Sequence, residues 1–153
     1  LNGASAQGRS YFNIGRDTTF QFLGQMLPDS DVLAYVMVGG DKIKAEPPAL
    51  GFKFLNSALY ACEHVWGSSV FEEYTALISG ITTSEKHIYR VQYVASENTA
   101  YFYVDGVFKQ QLTLHTNYDV GLYIFSSYIK NTASAQKQIS ISGVYISVNP
   151  LGS

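Results

Sequence analysis

EKHIYRVQYVASENTAYFYVDGVFK, residues 85–109, alternates oily and polar side chains with a period of two. Between His87 and Ala95 the side chains of Tyr89, Val91 and Tyr93 fall on one side and those of Ile88, Arg90 and Gln92 on the other, the pattern of a half-buried strand. A polar turn at Ser96-Glu97-Asn98 follows. Thr99 to Val104 resumes the alternation, with Phe102 and Val104 on the core side and Tyr101 and Tyr103 opposite. Asp105-Gly106 then reverses the chain, because both central residues of a tight hairpin turn need positive φ. Two consecutive hairpins therefore occupy the middle of the chain.

Working outward, the same two-residue period recurs almost everywhere. Leu1 to Arg9 is small and polar and is expected to be a loosely held entry segment, with Ser10 to Ile14 a short edge strand. Thr18 to Met26 places Phe20, Phe22 and Gly24 on one face, and Leu27 to Ser30 supplies a turn. Asp31 to Val38 is nearly all apolar, as in a strand covered on both sides, and Gly39-Gly40 suits a sharp exit. Pro47-Pro48 marks Asp41 to Ala49 as a loop. Leu50 to Leu55 and Ala58 to Trp66 form a third hairpin around Asn56-Ser57, with Leu59, Ala61 and Val65 facing one way and Tyr60, Cys62, His64 and Trp66 the other. Gly67 to Ser69 turns the chain, Glu72 to Ile78 is a strand, and Gly80 to Lys86 connects into the central hairpins. Val107 to Leu114, Val120 to Ile129 and Gln138 to Val148 complete the set, separated by loops at Thr116 to Asp119 and Asn131 to Gln136, with a bulge at Gly143. No stretch of ten residues has a helical period. About eleven short strands with a turn every 8–12 residues predict one all-β domain over residues 1–153, an antiparallel two-sheet sandwich.

Composition narrows the partners. Twelve Tyr, nine Phe and one Trp accompany only 14% charged residues in a chain of 153 with net charge −2. The ten Lys and Arg are scattered singly, so no basic stripe exists for nucleic acid. Apolar runs fall short of the ~20 residues a membrane span requires, and membrane insertion is not expected. A chain opening on Leu1 is expected to be a mature product or an excised piece. Cys62, the single cysteine, excludes an internal disulfide and any multi-thiolate metal site, and reads as a small buried residue. No metal or cofactor is called for. Low charge with abundant Tyr, Ser, Thr and Asn points to an extracellular setting or the surface of a virion or cell.

The run H-x-Y-R-V-x-Y (His87, Tyr89, Arg90, Val91), then F-Y-V-D-G-V (Phe102, Val104, Asp105, Gly106) and a closing I-x-I-x-x-V-x-I (Ile139, Ile141, Val144, Ile146) resembles the concanavalin A-like lectin/glucanase superfamily, including its LamG-like members. Gly51 to Ala61, GFKFLNSALYA, is similar to the hairpin that precedes this core in that family. The resemblance covers residues 51–148 and implies a jelly-roll β-sandwich whose last strand returns near the first. It implies no single activity, since such folds carry enzymes, sugar binders and structural modules.

The residues must therefore discriminate. Glucanases of this superfamily carry Glu-x-Asp-x-x-Glu or a close variant on one strand, because retaining hydrolysis needs two carboxyl groups about 5–5.5 Å apart. No such run occurs here. Glu72-Glu73 is the one adjacent pair, and neighbours on a strand point to opposite faces. A lyase would need a Tyr and a His on adjacent strands; His64, beside Tyr60 and Trp66, is the best-placed histidine, and His87 and His115 read as strand-end and loop residues. Three histidines lack the close spacing of a metal site, and Asn117 with Asp119 reads as a turn ahead of a calcium loop. What remains is ring and amide chemistry, since sugars stack on rings and take hydrogen bonds from amides and guanidinium. Alternation groups Arg90, Gln92, Tyr101 and Tyr103, together with Tyr60, His64 and Trp66, as a ligand-binding face. The expectation is a non-catalytic module binding a glycan or a surface protein, an adhesion or receptor-binding domain of a virion, phage or cell surface. The alternative is a structural or assembly domain, a homo-oligomer or larger assembly, with the aromatic face covered. A polysaccharide-cleaving enzyme with a divergent site is the third.

Overall fold

The tight turns predicted from dipeptides form as left-handed reversals. Asn56 (φ 49°) and Ser57 (φ 71°) make one, and Asp105 (φ 52°) and Gly106 (φ 79°) the other. Type I′ geometry of this kind matches the right-handed twist of the strands it joins. The computed structural model describes residues 3–12, 17–27, 32–39, 48–66, 71–116, 123–131 and 138–148. The described strands are β1 (Gly3–Phe12), β2 (Thr18–Leu27), β3 (Val32–Gly39), β4 (Ala49–Leu55), β5 (Ala58–Trp66), β6 (Phe71–Ile78), β7 (His87–Val94), β8 (Thr99–Val104), β9 (Val107–Thr113), β10 (Tyr123–Asn131) and β11 (Gln138–Val148). The one helical element among the described residues is a 3-10 turn at Ala95–Glu97, ended by Asn98 in the left-handed region. The loop expectations at 28–30, 40–47, 67–69, 117–119 and 132–136 lie outside the described residues.

Two antiparallel sheets result, one of six strands in the order β1-β10-β3-β4-β5-β6 and one of five in the order β11-β2-β7-β8-β9. The last strand thus returns beside the second, β2, and not the first. Phe20, Phe22, Tyr89, Val91, Tyr93 and Phe102 from the smaller sheet meet Val36, Phe52, Phe54, Leu59 and Ala61 from the larger. Phe22, Phe52, Tyr89 and Phe102 form the centre, with ring centroids 5.1–5.9 Å apart in stacked and edge-on pairs. Each such contact contributes about 0.5–1.5 kcal/mol beyond burial itself. The parity expected for the central hairpins holds: Tyr89 and Val91 are buried between the sheets and Gln92 is exposed.

The family-like residues His87, Asp105 and Gly106 are explained by a latch. Asp105 accepts a hydrogen bond from the Ile88 amide (2.9 Å) and lies 2.7 Å from His87 Nδ1. The Asp105 amide donates back to the Ile88 carbonyl (2.8 Å). The backbone hydrogen bond, then that of His87, holds the Asp105 carboxyl below the usual carboxylate range. These residues close the turn onto the start of β7, a structural role.

Two expectations need correction. Leu1 to Arg9 is not a loose entry: from Gly3 onward the chain is strand β1, paired with β10 from Gly3↔Lys130 to Gln7↔Ser126 and again at Tyr11↔Ile124. Ladder hydrogen bonds use backbone alone, so small side chains without a period can still form an edge strand. Gly39 ends β3 within the ladder, where a Cβ would come 2.4 Å from that of Ala49; close approach of β4 explains it better than a sharp exit. Gly143 is as expected, with φ 57° at the register shift between Ser142 and Tyr145.

Candidate functional site

The most concentrated polar chemistry lies on the side of the six-stranded sheet that faces away from the smaller sheet. Strand pairing assembles it. Tyr35, Lys53 and Tyr60 stand directly across β3, β4 and β5, and His64 on β5 stands opposite Glu73 on β6. Parity puts Cys62 beside His64 on the same side. Glu73 is the hub: its Oε2 accepts from the Tyr35 hydroxyl at 2.7 Å and lies 2.8 Å from His64 Nε2, and its Oε1 accepts from Lys53 Nζ. Lys53 Nζ also sits 5.9 Å from the ring centroids of both Tyr35 and Tyr60.

Burial makes these contacts matter. Tyr35 is 1% exposed, and Cys62 and His64 are fully covered. The side chains of Lys53 and Glu73 keep 14% and 22% of their exposure, and Tyr60 is half-buried. Burial by itself would raise the Glu73 carboxyl, but hydrogen bonds from His64, Lys53 and Tyr35, with the Lys53 charge, outweigh it and hold the group well below the usual carboxylate range. A fixed anion, a cation and a phenol ring thus remain within reach of solvent.

Sequence parity grouped Tyr60, His64 and Trp66 with Arg90, Gln92, Tyr101 and Tyr103. The structure separates them. Arg90 and Gln92 pair across to Tyr103 and Tyr101 on the outer side of the five-stranded sheet, while Tyr60 and His64 lie on the outer side of the six-stranded one. Each hairpin buries its other side in the same core, so the sides left over point away from each other. Alternation says which residues of a hairpin share a side and not which sheet the hairpin joins. Trp66 pairs with Phe71 in the ladder; its side chain lies outside the described residues.

On the smaller sheet Arg90 stacks 4.2 Å above the Tyr103 ring, and Phe108 packs edge-on to Tyr103 at 5.9 Å. Tyr101 donates its hydroxyl to Glu97, which raises the phenol's pKa. Gln21 and Tyr145 extend this row across β2 and β11. It is an open ladder of rings and amides with no buried polar hub.

Glu73, Lys53, Tyr35 and Cys62 were not singled out as site residues by the alternation. Counting back from the Asn56-Ser57 turn would have paired Lys53 with Tyr60, but the meeting of Tyr35 with Glu73 depends on sheet order. The opposed faces expected for Glu72 and Glu73 do occur: Glu72 accepts from the Tyr74 hydroxyl at 2.7 Å instead. Glu63, fully buried on the inward side of β5, accepts from the amides of His115 (3.0 Å) and Thr116 (3.2 Å). His115 stacks on Tyr74 with centroids 3.5 Å apart. That cluster ties the end of β9 to the larger sheet.

No family model and no curated protein matches the chain. Solved structures do. The Bacteroides ovatus mixed linkage glucan protein of glycoside hydrolase family 16, solved with a product, superposes with a TM-score of 0.67 at 14% identity, over 94% of this chain and 73% of its own. A Bacillus licheniformis β-glucanase gives 0.67 at 10%, over 95% and 71%. The carbohydrate recognition domain of Emp47p gives 0.67 at 13%, over 97% and 79%. The expectation that the chain is no enzyme is thereby corrected: glucanases stand among its structural neighbours beside a lectin domain, and a missing Glu-x-Asp-x-x-Glu run excludes one arrangement of carboxylates, not catalysis. At these identities the likeness speaks for the architecture alone: this chain is a concanavalin A-like jelly roll.

Proposed function

We propose that this chain binds carbohydrate on the outer face of the six-stranded sheet, with Glu73, Lys53 and Tyr60 as the contacting groups and Tyr35 and His64 holding Glu73 in place. The observation that carries the reading is the Glu73 carboxylate, kept ionised yet partly open beside a cation and a ring. A fixed carboxylate takes paired hydroxyl donors, an ammonium donates to ring and hydroxyl oxygens, and a phenol ring accepts the C–H face of a sugar. The lectin and glucanase neighbours support the ligand class. An extracellular or surface setting belongs to the same proposal.

Screening a glycan array and titrating the hits by calorimetry tests it. Tyr60→Ala and Glu73→Gln should each weaken binding about tenfold or more, a loss of about 1.4 kcal/mol, while Arg90→Ala leaves it unchanged. Absence of any glycan ligand, or sensitivity to Arg90→Ala alone, would overturn it.

Cleavage at the same face is a second reading, favoured by the glucanase neighbours and by Glu73. Among the described residues of that face Glu73 is the sole carboxylate, so a two-carboxylate mechanism would lack its partner. Reducing-end release that Glu73→Gln abolishes would establish cleavage, and intact polysaccharide after long incubation would dismiss it.

A further inference from the structure

We infer that Cys62, His64 and Glu73 form a binding site for a thiophilic divalent cation, zinc above all. One ligand atom from each of the three lies within 4.8 Å of the others. Cys62 and His64 are two residues apart on β5, and Glu73 is the direct cross-strand partner of His64. Three donors are thereby delivered to one spot by two paired strands and no loop.

The donor set selects the ion. One sulfur, one imidazole nitrogen and one carboxylate oxygen match the borderline-soft preference of zinc, whereas calcium and magnesium need several hard oxygens. Zinc bonds of about 2.0–2.3 Å place tetrahedral donors about 3.3–3.8 Å apart. The present separations differ from that range by about 1 Å or less, within the reach of side-chain rotation. Glu73 is also held in place: Tyr35 donates to its Oε2 and Lys53 to its Oε1, the outer support that metal-binding carboxylates use. Three protein ligands leave a fourth position for water.

The proton balance is explicit. Cys62 gives up its thiol proton to solvent, and His64 binds through an unprotonated ring nitrogen. One proton leaves per ion, two if His64 enters as imidazolium. The incoming 2+ charge meets a thiolate and a carboxylate, while Lys53, 14% exposed along its side chain, keeps its path to solvent.

Cobalt(II) serves as the coloured probe. Adding it to the whole chain should give a thiolate-to-cobalt charge-transfer band that saturates at one equivalent, is displaced by zinc, and is accompanied by proton release. Zinc should raise Tm, by an amount that grows with the logarithm of its free concentration over Kd. The band and the Tm shift should vanish in Cys62→Ser and in Cys62→Ala, provided circular dichroism shows them folded, and persist in His115→Ala, whose imidazole lies elsewhere. A folded wild-type chain with no cobalt band overturns the site, as does a zinc-induced Tm shift that survives loss of the sulfur. The readout is metal alone, so it stands or falls independently of glycan binding.

Discussion

The sandwich has two outward faces, and they are built from the same alternating pattern with opposite results. On the five-stranded sheet outward means open: Tyr145 is 55% and Phe108 50% exposed, and Arg90 lies over Tyr103. On the six-stranded sheet Tyr35, Met37, Cys62 and His64 also point away from the core between the sheets, yet they are buried. Pointing outward and being wet are different properties. Where water is excluded, each charge must find a partner within the protein, and the Glu73 hub is the outcome. Where water is admitted, one ring under a guanidinium suffices.

The shared core sets the scale for testing this contrast. Phe102→Ala, central to the ring cluster, should cost about 3–5 kcal/mol in urea unfolding, whichever face is considered. Glu73→Ala should come next, at about 2–3 kcal/mol, because His64, Lys53 and Tyr35 lose a common acceptor under cover. If it cost no more than a surface change, the distinction between the faces would collapse. Acidification sharpens the same point. Glu73 is depressed in the folded chain, so on acidification the unfolded chain takes up its proton first. Its contribution is full above the ordinary carboxylate pKa of 4.5 and is lost as pH falls toward the folded value. Unfolding free energies followed from about pH 7 to about pH 3 should therefore decline less steeply in Glu73→Gln than in the wild type.

On the five-stranded face, Arg90→Ala should cost about 1 kcal/mol, the worth of a half-buried cation–π contact, measured by the same unfolding curves. Smallest is Tyr89→Phe. The Tyr89 hydroxyl is buried without a hydrogen-bond partner among the described residues, and burial, then the nearby Asp105 charge, pushes its pKa above the normal phenol value. Removing it should leave stability unchanged or raise it by up to about 1 kcal/mol. A clear loss of stability would mean the hydroxyl is satisfied in solution.

Much of the architecture was legible in order along the chain. Asn56-Ser57 and Asp105-Gly106 announced their turns because few residues tolerate positive φ, and Tyr89, Val91 and Phe102 announced a buried side because a slip of one residue would expose them all. The candidate site was less legible. His64 and Tyr60 were visible by parity, but Glu73 looked like half of an unproductive pair, and Lys53 was no more than one position of the Leu50 to Leu55 strand. Nothing local marks a carboxylate that will be met by a tyrosine 38 positions earlier. The greater part of edge strand β1, before the Ser10 at which the sequence started it, was missed for a related reason: its pairing partner β10 begins more than a hundred residues away, and its small side chains carry no period.

The order of side chains along the strand, by itself, determined the strands, their tight turns and the inward side of each hairpin, because those depend on backbone φ and on alternation within a few residues. Tertiary structure alone decided which hairpins share a sheet, and so split one expected face into two pointing apart. It also decided which outward side would be covered, since burial depends on what other segments lay across it and on charges drawn together from β3, β4, β5 and β6.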